Sequence, residues 1–260
     1  MLILLINLER SKDRLQKISN RLKELSIYFD RVEAFDGSVL TNLEYESLTY
    51  PYNHPCRVRF TRELTKGEVG CFLSHKKCWQ LLVESNEKYA AILEDDLYIS
   101  DEAKQFLSNI DWLPKEIGLI RLSSFYRVNN RLFIKERKNL NHIENFSMAK
   151  TLRYAIGTQC YIISKDFAKV ALSMTEKFEC PVDEFLFNRL FEYANVCEAW
   201  QLLPSVICQN ESEDSSIGDR KHSTKKANFF TRHGLKRTLL MHKLKQNAKR
   251  GEFVRFDCKV

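Results

Sequence analysis

The sequence contains no CxxC pair among its eight cysteines, so nothing in their spacing supports a zinc site. An export signal is missing as well: the apolar run from Met1 to Ile6 has no basic segment ahead of it and meets Asn7, Glu9, Arg10 and Lys12 at once. No other stretch has the length and purity of a membrane-spanning helix. A chain that stays where it is made keeps its thiols reduced, so the cysteines are expected as small buried hydrophobes in a cytoplasmic protein. There is no internal repeat, no low-complexity stretch and no RNA- or DNA-binding motif, which sets aside solenoid and nucleic-acid-binding architectures.

What is present describes a globular protein. The 260 residues, 44% hydrophobic and 29% charged, can bury one generous core or one core with a small appendage. The net charge of +7 is uneven: from Arg220 to Arg250 there are eleven Lys or Arg and no Asp or Glu. Such a segment can meet nucleic acid, anionic lipid or a phosphorylated acceptor. Leu235, Leu239, Leu240 and Leu244 form an apolar stripe among those cations, a pattern that fits a helix on an anionic membrane surface or one docked on the protein's own core.

Periodicity supplies an α/β reading. Residues 2–6 read as a buried strand, and Ser11 can cap a helix with Leu15, Ile18, Leu22 and Leu25 on one face. Phe29 to Phe35 reads as a second strand closed by Asp36-Gly37, so the chain opens as a βαβ unit and predicts a mostly parallel central sheet. Residues 38–62 predict loop or short helices. Thr65 and Glu68 fit a capping box for a helix to about Glu84. Strands are expected at Tyr89–Leu93, Ile117–Leu122 and Gln159–Ile163, and helices at Asp166–Leu172 and Val182–Tyr193. The expected organisation is one α/β domain over 1–218. A basic helical segment follows at 219–260.

Glu94-Asp95-Asp96 ends the third expected strand, where ligands of open α/β sheets bind. Carboxylates are hard ligands for Mg²⁺ or Mn²⁺, ions that complete their shells with diphosphate oxygens. Period-two geometry puts Glu94 and Asp96 on one side and Asp95 on the other. By spacing alone the triplet reads equally as an acidic turn capping the next helix.

Four blocks around that triplet tip the balance. They are Ile6 to Arg10 with Arg14 and then Arg31 to Gly37; Leu64 to His75, containing Gly-Glu-Val-Gly-Cys-Phe-Leu-Ser-His, with Trp79; Ala91 to Asp96; and Gly157 to Ser164 with Pro181 to Asp183. In content and order these resemble glycosyltransferase family 25, which includes lipooligosaccharide and collagen-type galactosyltransferases. A weaker segment, Pro204 through Gln209 to Ile217, resembles the family's closing stretch.

The resemblance implies a GT-A-like fold, with a nucleotide-sugar half at about 1–100 and an acceptor half at about 101–218. It implies inverting transfer of a hexose, usually galactose from UDP-galactose, to a sugar hydroxyl of a lipooligosaccharide or lipopolysaccharide acceptor at the cytoplasmic face of the inner membrane. It implies Mn²⁺ or Mg²⁺ at Glu94 and Asp96, although the family's metal motif begins with Asp where this chain has Glu94. His222 is a candidate late ligand. Asn7, Leu8, Arg10, Arg14, Asp36, Gly37, His75, Asp95 and Gly157 are assigned to the donor pocket. His75 enters as a structural or donor-orienting group and not as a base. Inverting transfer needs one general base near the acceptor hydroxyl. Asp183, or second Glu184, is assigned that role; the competing reading is a helix N-terminal charge favoured by the macrodipole. UDP-glucose and UDP-N-acetylhexosamine are alternative donors, a catalytically silent glycan-binding relative is the alternative class, and no nucleic acid is expected as partner.

Overall fold

The structure is a computed structural model that describes residues 1–51, 54, 62–124, 131–140, 143–152, 157–209 and 252–255. The chain begins with β1 (Leu2–Asn7), α1 (Lys12–Glu24), β2 (Asp30–Glu33), a 3₁₀ turn (Gly37–Val39) and α2 (Asn42–Leu48). It continues through α3 (Lys66–Glu84), β3 (Tyr89–Leu93), β4 (Leu97–Ile99), α4 (Ala103–Leu107), β5 (Leu119–Arg121) and β6 (Ser123–Ser124). Then come β7 (Arg131–Asn139), β8 (Ser147–Thr151), β9 (Cys160–Ser164), α5 (Lys165–Ser173), α6 (Val182–Phe187) and α7 (Glu192–Val196). The last described elements are β10 (Trp200–Leu203), β11 (Ile207–Gln209) and β12 (Glu252–Arg255).

One nine-stranded sheet, ordered β12-β7-β8-β10-β5-β9-β3-β1-β2, runs through the molecule. Its first part is the expected βαβ unit, with β1 parallel to both β2 and β3. Beyond β3 the neighbours alternate: β9 lies antiparallel between β3 and β5, β10 is parallel to β5, and β8, β7 and β12 follow antiparallel. The α/β architecture with helices on a central sheet is therefore present, mixed in its far half. A small three-stranded sheet, β4-β11-β6, sits beside it.

Alternation within the strands divides the core into two layers. Ile3, Leu5, Ala91 and Leu93 face α1 and α4 with Ile18, Leu22 and Phe106. Leu4, Ile6, Ala90 and Ile92 face α3, α5 and α6 with Val69, Phe72, Trp79, Ala171 and Phe185. Period-two burial on both faces requires helices on both sides, and that sandwich fixes the strand ends on which the site is built.

α3 is the most firmly specified helix. Thr65 Oγ1 accepts from Glu68 N and Glu68 returns the bond to Thr65 N, so the expected capping box is formed. Its first turn packs against the Asp36-Gly37 turn with no room to spare. A Cβ on Gly37 would lie 2.0 Å from Lys66 O, and one on Gly70 would lie 2.6 Å from both Gly37 N and Phe35 O.

Four expectations change. Ser11 occupies the N-cap position of α1, but its side chain makes no capping bond; its carbonyl instead accepts from Asn7 Nδ2. The helix expected over Val182–Tyr193 breaks at Asn188, whose Oδ1 accepts from Leu190 N at 3.0 Å, a side-chain turn that replaces the helical bond. β7, β8, β10 and β11 were not expected; β8 is only Ser147–Thr151 and the others carry no regular alternation. The basic helix expected over 219–260 lies outside the described residues except at Glu252–Arg255, and there the chain is a strand antiparallel to β7. That pairing covers what would otherwise be an open edge.

The Gly37–Gly70 contact yields a test. Gly70→Ala is expected to destabilise the protein by about 1–3 kcal/mol, because the obstructing atoms are backbone and cannot rotate aside. An unchanged urea midpoint would refute the close approach.

Candidate active site

β1 and β3 are neighbours in parallel register, so Asn7 and Glu94 emerge at the same edge of the sheet, beneath the N-terminal half of α3. The space between them is a cleft of about 110 Å³. Asn7, Leu8, Arg10 and Arg14 line its β1 side, Asp36 and Gly37 its lip, Cys71 and His75 its α3 wall, and Glu94, Asp95, Asp96 and Gln209 its floor.

Each acid of the triplet has its own set of partners. Glu94 Oε1 accepts from Thr158 Oγ1 at 2.6 Å and stands 3.5 Å from His75 Nε2. Burial would raise its pKa, but His75 and Thr158 together outweigh that and hold it below the usual value. Asp95 Oδ2 accepts from Asn7 Nδ2 at 2.6 Å, and its Oδ1 lies 3.4 Å from Arg14 Nη1. Burial nonetheless raises its pKa against both partners. Asp96 Oδ2 accepts from Gln209 Nε2 at 2.8 Å, whereas its Oδ1 is buried with no hydrogen-bond partner. Burial first, and then the adjacent charge of Glu94, push Asp96 up to about 7.

Three consecutive residues hold the acids in place. Gly157 N donates to Asp183 Oδ2 at 3.0 Å, Thr158 Oγ1 donates to Glu94, and Gln159 Nε2 contacts Gln209 Oε1 at 3.3 Å while Gln209 in turn holds Asp96. The Gln159 carbonyl also accepts from Glu94 N at 2.9 Å. Gly157 has φ +90, and a Cβ there would strike the Gln159 amide at 2.2 Å, so only glycine fits. Thr158, Gln159 and Gln209 were not expected in the site. They are neutral, and although Thr158 and Gln159 fall in the Gly157–Ser164 block and Gln209 in the closing stretch, their contacts with the acids follow only from the sheet that brings them beside the triplet.

His75 is fully buried and part of a relay. Trp79 Nε1 donates to Tyr161 Oη at 3.0 Å, and Tyr161 Oη lies 2.9 Å from His75 Nδ1. With Trp79 as donor, the Tyr161 hydroxyl has its own proton for Nδ1, which leaves the imidazole proton on Nε2 facing Glu94. This arrangement turns Nε2 toward Glu94 Oε1, 3.5 Å away, without a hydrogen bond between them.

Asp183 sits at the start of α6, its Oδ1 accepting from Glu184 N at 2.9 Å. Glu184 accepts from Asn188 Nδ2, and burial raises its pKa. The half-buried Cys71 thiol is raised first by desolvation and then by Glu94, Asp183, Asp96 and Glu68, so the base and metal candidates surround one stretch of α3. Arg62 pairs with Glu68 and is also raised by Asp183 and Glu184. Asn7, assigned to the donor pocket, spends its amide on Asp95, Ser11 O and Arg31, at 1% exposure. Arg10 pairs with Asp36 across the lip. Gly157 and Asp183 are joined to each other outside the cleft lining, and His222 lies outside the described residues.

The sequence model described as "Glycosyltransferase family 25 (LPS biosynthesis protein)" matches residues 1–186. The chain is 30% identical over 205 residues to the lipooligosaccharide biosynthesis protein lex-1 of Haemophilus influenzae, covering 72% of this chain and 65% of that protein. It is 31% identical over 191 residues to human procollagen galactosyltransferase 2, covering 71% of this chain and 29% of the relative. The chain thus spans less than two thirds of the length of either. A solved glycosyltransferase involved in glycosylation of the major capsid of PBCV-1 aligns over 83% of this chain and 94% of its own at 11% identity, with a TM-score of 0.37, a likeness too low to bear on the fold. With the family's model matched from Met1 through the acid triplet to α6, the chain belongs to glycosyltransferase family 25.

Proposed function

We propose that this glycosyltransferase moves a hexose, in first place galactose from UDP-galactose, onto a sugar hydroxyl of a lipooligosaccharide acceptor with inversion, assisted by Mn²⁺ or Mg²⁺. The observation that carries the reading is Asp96 Oδ1, a buried carboxylate oxygen without a partner, beside the partly exposed Glu94 in a cleft at the sheet's ligand-binding edge. Buried polar atoms are nearly always satisfied, and two hard oxygens here fit a hard divalent cation. Glu94 and Asp96 would hold it. When bound, the ion neutralises charge on a departing nucleoside diphosphate.

The chain's own residues supply the rest. Thr158 and His75 keep Glu94 ionised, and Gln209 turns the unpartnered oxygen of Asp96 away from itself. Arg10 and Arg14 line the cleft, and their guanidinium groups would suit the phosphate oxygens of the donor. Asp183, its two oxygens gripped by Gly157 N and Glu184 N, accepts the acceptor hydroxyl's proton as that oxygen attacks the anomeric carbon from the face opposite the leaving group. Galactose is favoured by relatives named galactosyltransferases, and the acceptor by a relative named for lipooligosaccharide biosynthesis. The 220–250 segment, outside the described residues, carries the cations that would meet an anionic membrane surface bearing the acceptor. No described helix is long and apolar enough to cross a membrane.

Turnover of UDP-galactose, followed by UDP release, should require Mn²⁺ or Mg²⁺ and be lost in Asp96→Ala; full activity in EDTA would end the metal assignment. Asp183→Asn should lower kcat by about 10²–10⁴-fold while leaving UDP affinity intact. A loss confined to acceptor KM would move the base elsewhere.

A pH dependence follows from Asp96. Its carboxyl rises from 3.8 to about 7 on folding, so ionising it opposes folding, with a cost that accumulates as pH climbs between those values and is constant above. In metal-free buffer Asp96→Asn should raise Tm more at about pH 8 than at about pH 5. Wild-type Mn²⁺ affinity should increase as pH passes through about 7, because the ligand must be deprotonated. An equal effect of the substitution at both pH values would show that the carboxyl is not raised.

A further inference from the structure

The α3 wall of the cleft carries donors of a different kind from the carboxylates on its floor. Cys71 and His75 are four residues apart on α3, so their side chains share one face. The Cys71 sulfur, a His75 ring nitrogen and a Glu94 oxygen all lie within 4.8 Å of one another. His75 Nε2 is buried, points at Glu94 Oε1 from 3.5 Å, and has no hydrogen-bond partner. With metal–ligand bonds of about 2.0–2.2 Å, two nitrogen or oxygen ligands of a tetrahedral ion stand about 3.4 Å apart, so this pair is already spaced for one. His75 Nδ1 lies 2.9 Å from Tyr161 Oη, a contact that fixes the orientation of the ring.

We propose that Cys71, His75 and Glu94 form a thiolate–imidazole–carboxylate site for Zn²⁺, with its fourth position open to the cleft. Sulfur and imidazole select a softer ion than the all-oxygen pair of Glu94 and Asp96 does. The sulfur needs to close by less than about 1.5 Å to reach tetrahedral spacing, a side-chain adjustment. On binding, the Cys71 thiol proton passes to solvent; Nε2 gives up its proton, the neutral ring takes one at Nδ1 facing the Tyr161 oxygen, and the Tyr161 hydroxyl hydrogen rotates away from Nδ1. Because Glu94 belongs to both sets, Zn²⁺ here would withdraw it from the hard-ion pair. Zn²⁺ would therefore inhibit transfer in competition with Mn²⁺, a consequence that rests on the proposed reaction, whereas the site itself does not.

Cobalt(II) is the probe that separates the two. The full chain, reduced with a phosphine and free of other metals, should take one equivalent of Co²⁺. It should develop a thiolate-to-cobalt charge-transfer band in the near ultraviolet together with the intense visible bands of tetrahedral cobalt, and stoichiometric Zn²⁺ should abolish both. Cys71→Ser should lose the near-ultraviolet band with unchanged circular dichroism, Glu94→Gln should keep it while shifting the visible bands, and Asp96→Asn should retain both. The proposal is overturned if the full chain shows no band, if the band survives in Cys71→Ser, or if Asp96→Asn removes it. Failure of the reaction assay with UDP-galactose would leave these spectra unaffected.

Discussion

Keeping several carboxylates charged and correctly turned, side by side and largely out of water, is the constraint around which this molecule is built. Coulomb repulsion and desolvation both favour protonating them, and Asp96, raised to about 7, shows how strong that pressure is. The counterweight is a stretch of three residues, Gly157 to Gln159. One backbone N–H, one hydroxyl and one amide from this stretch reach Asp183, Glu94 and, through Gln209, Asp96. Its donors are neutral, so they orient the acids without cancelling the charge that a cation would need.

That stretch leads into β9, and the place of β9 in the sheet explains how it can reach all three. β9 runs antiparallel between β3 and β5, so its beginning lies at the edge where β3 ends. An all-parallel sheet would have put the start of this strand at the opposite end, far from the triplet. The reversal in strand direction beyond β3 is thus the topological condition for the site.

Much of the frame was legible in the sequence because it is local. β1 and β3 are unbroken apolar runs, the Thr65–Glu68 box marks the start of α3 by spacing, and Glu94 to Asp96 stand directly after a strand. Family-type motifs added the grouping of these blocks. What escaped was non-local or depended on competition. Gln209 reaches Asp96 across 113 positions of sequence, and its place in the closing stretch says nothing of that contact. Asn188 breaks a periodic apolar pattern because its side chain wins a backbone N–H that a helix would not offer. β12 becomes a strand through its partner β7, since a short segment at a sheet edge takes its conformation from its neighbour.

The glycine contact between the Asp36 turn and α3 has a mechanical consequence. Phe35, Gly37, Lys66 and Gly70 meet backbone to backbone, so no side chain between them can rotate to admit sliding. Helix and turn therefore travel as one wedge, carrying Asp36, Cys71 and His75 together. Any widening of the mouth has to come from the opposing flank, where Arg10 can part from Asp36 without disturbing the packed wedge.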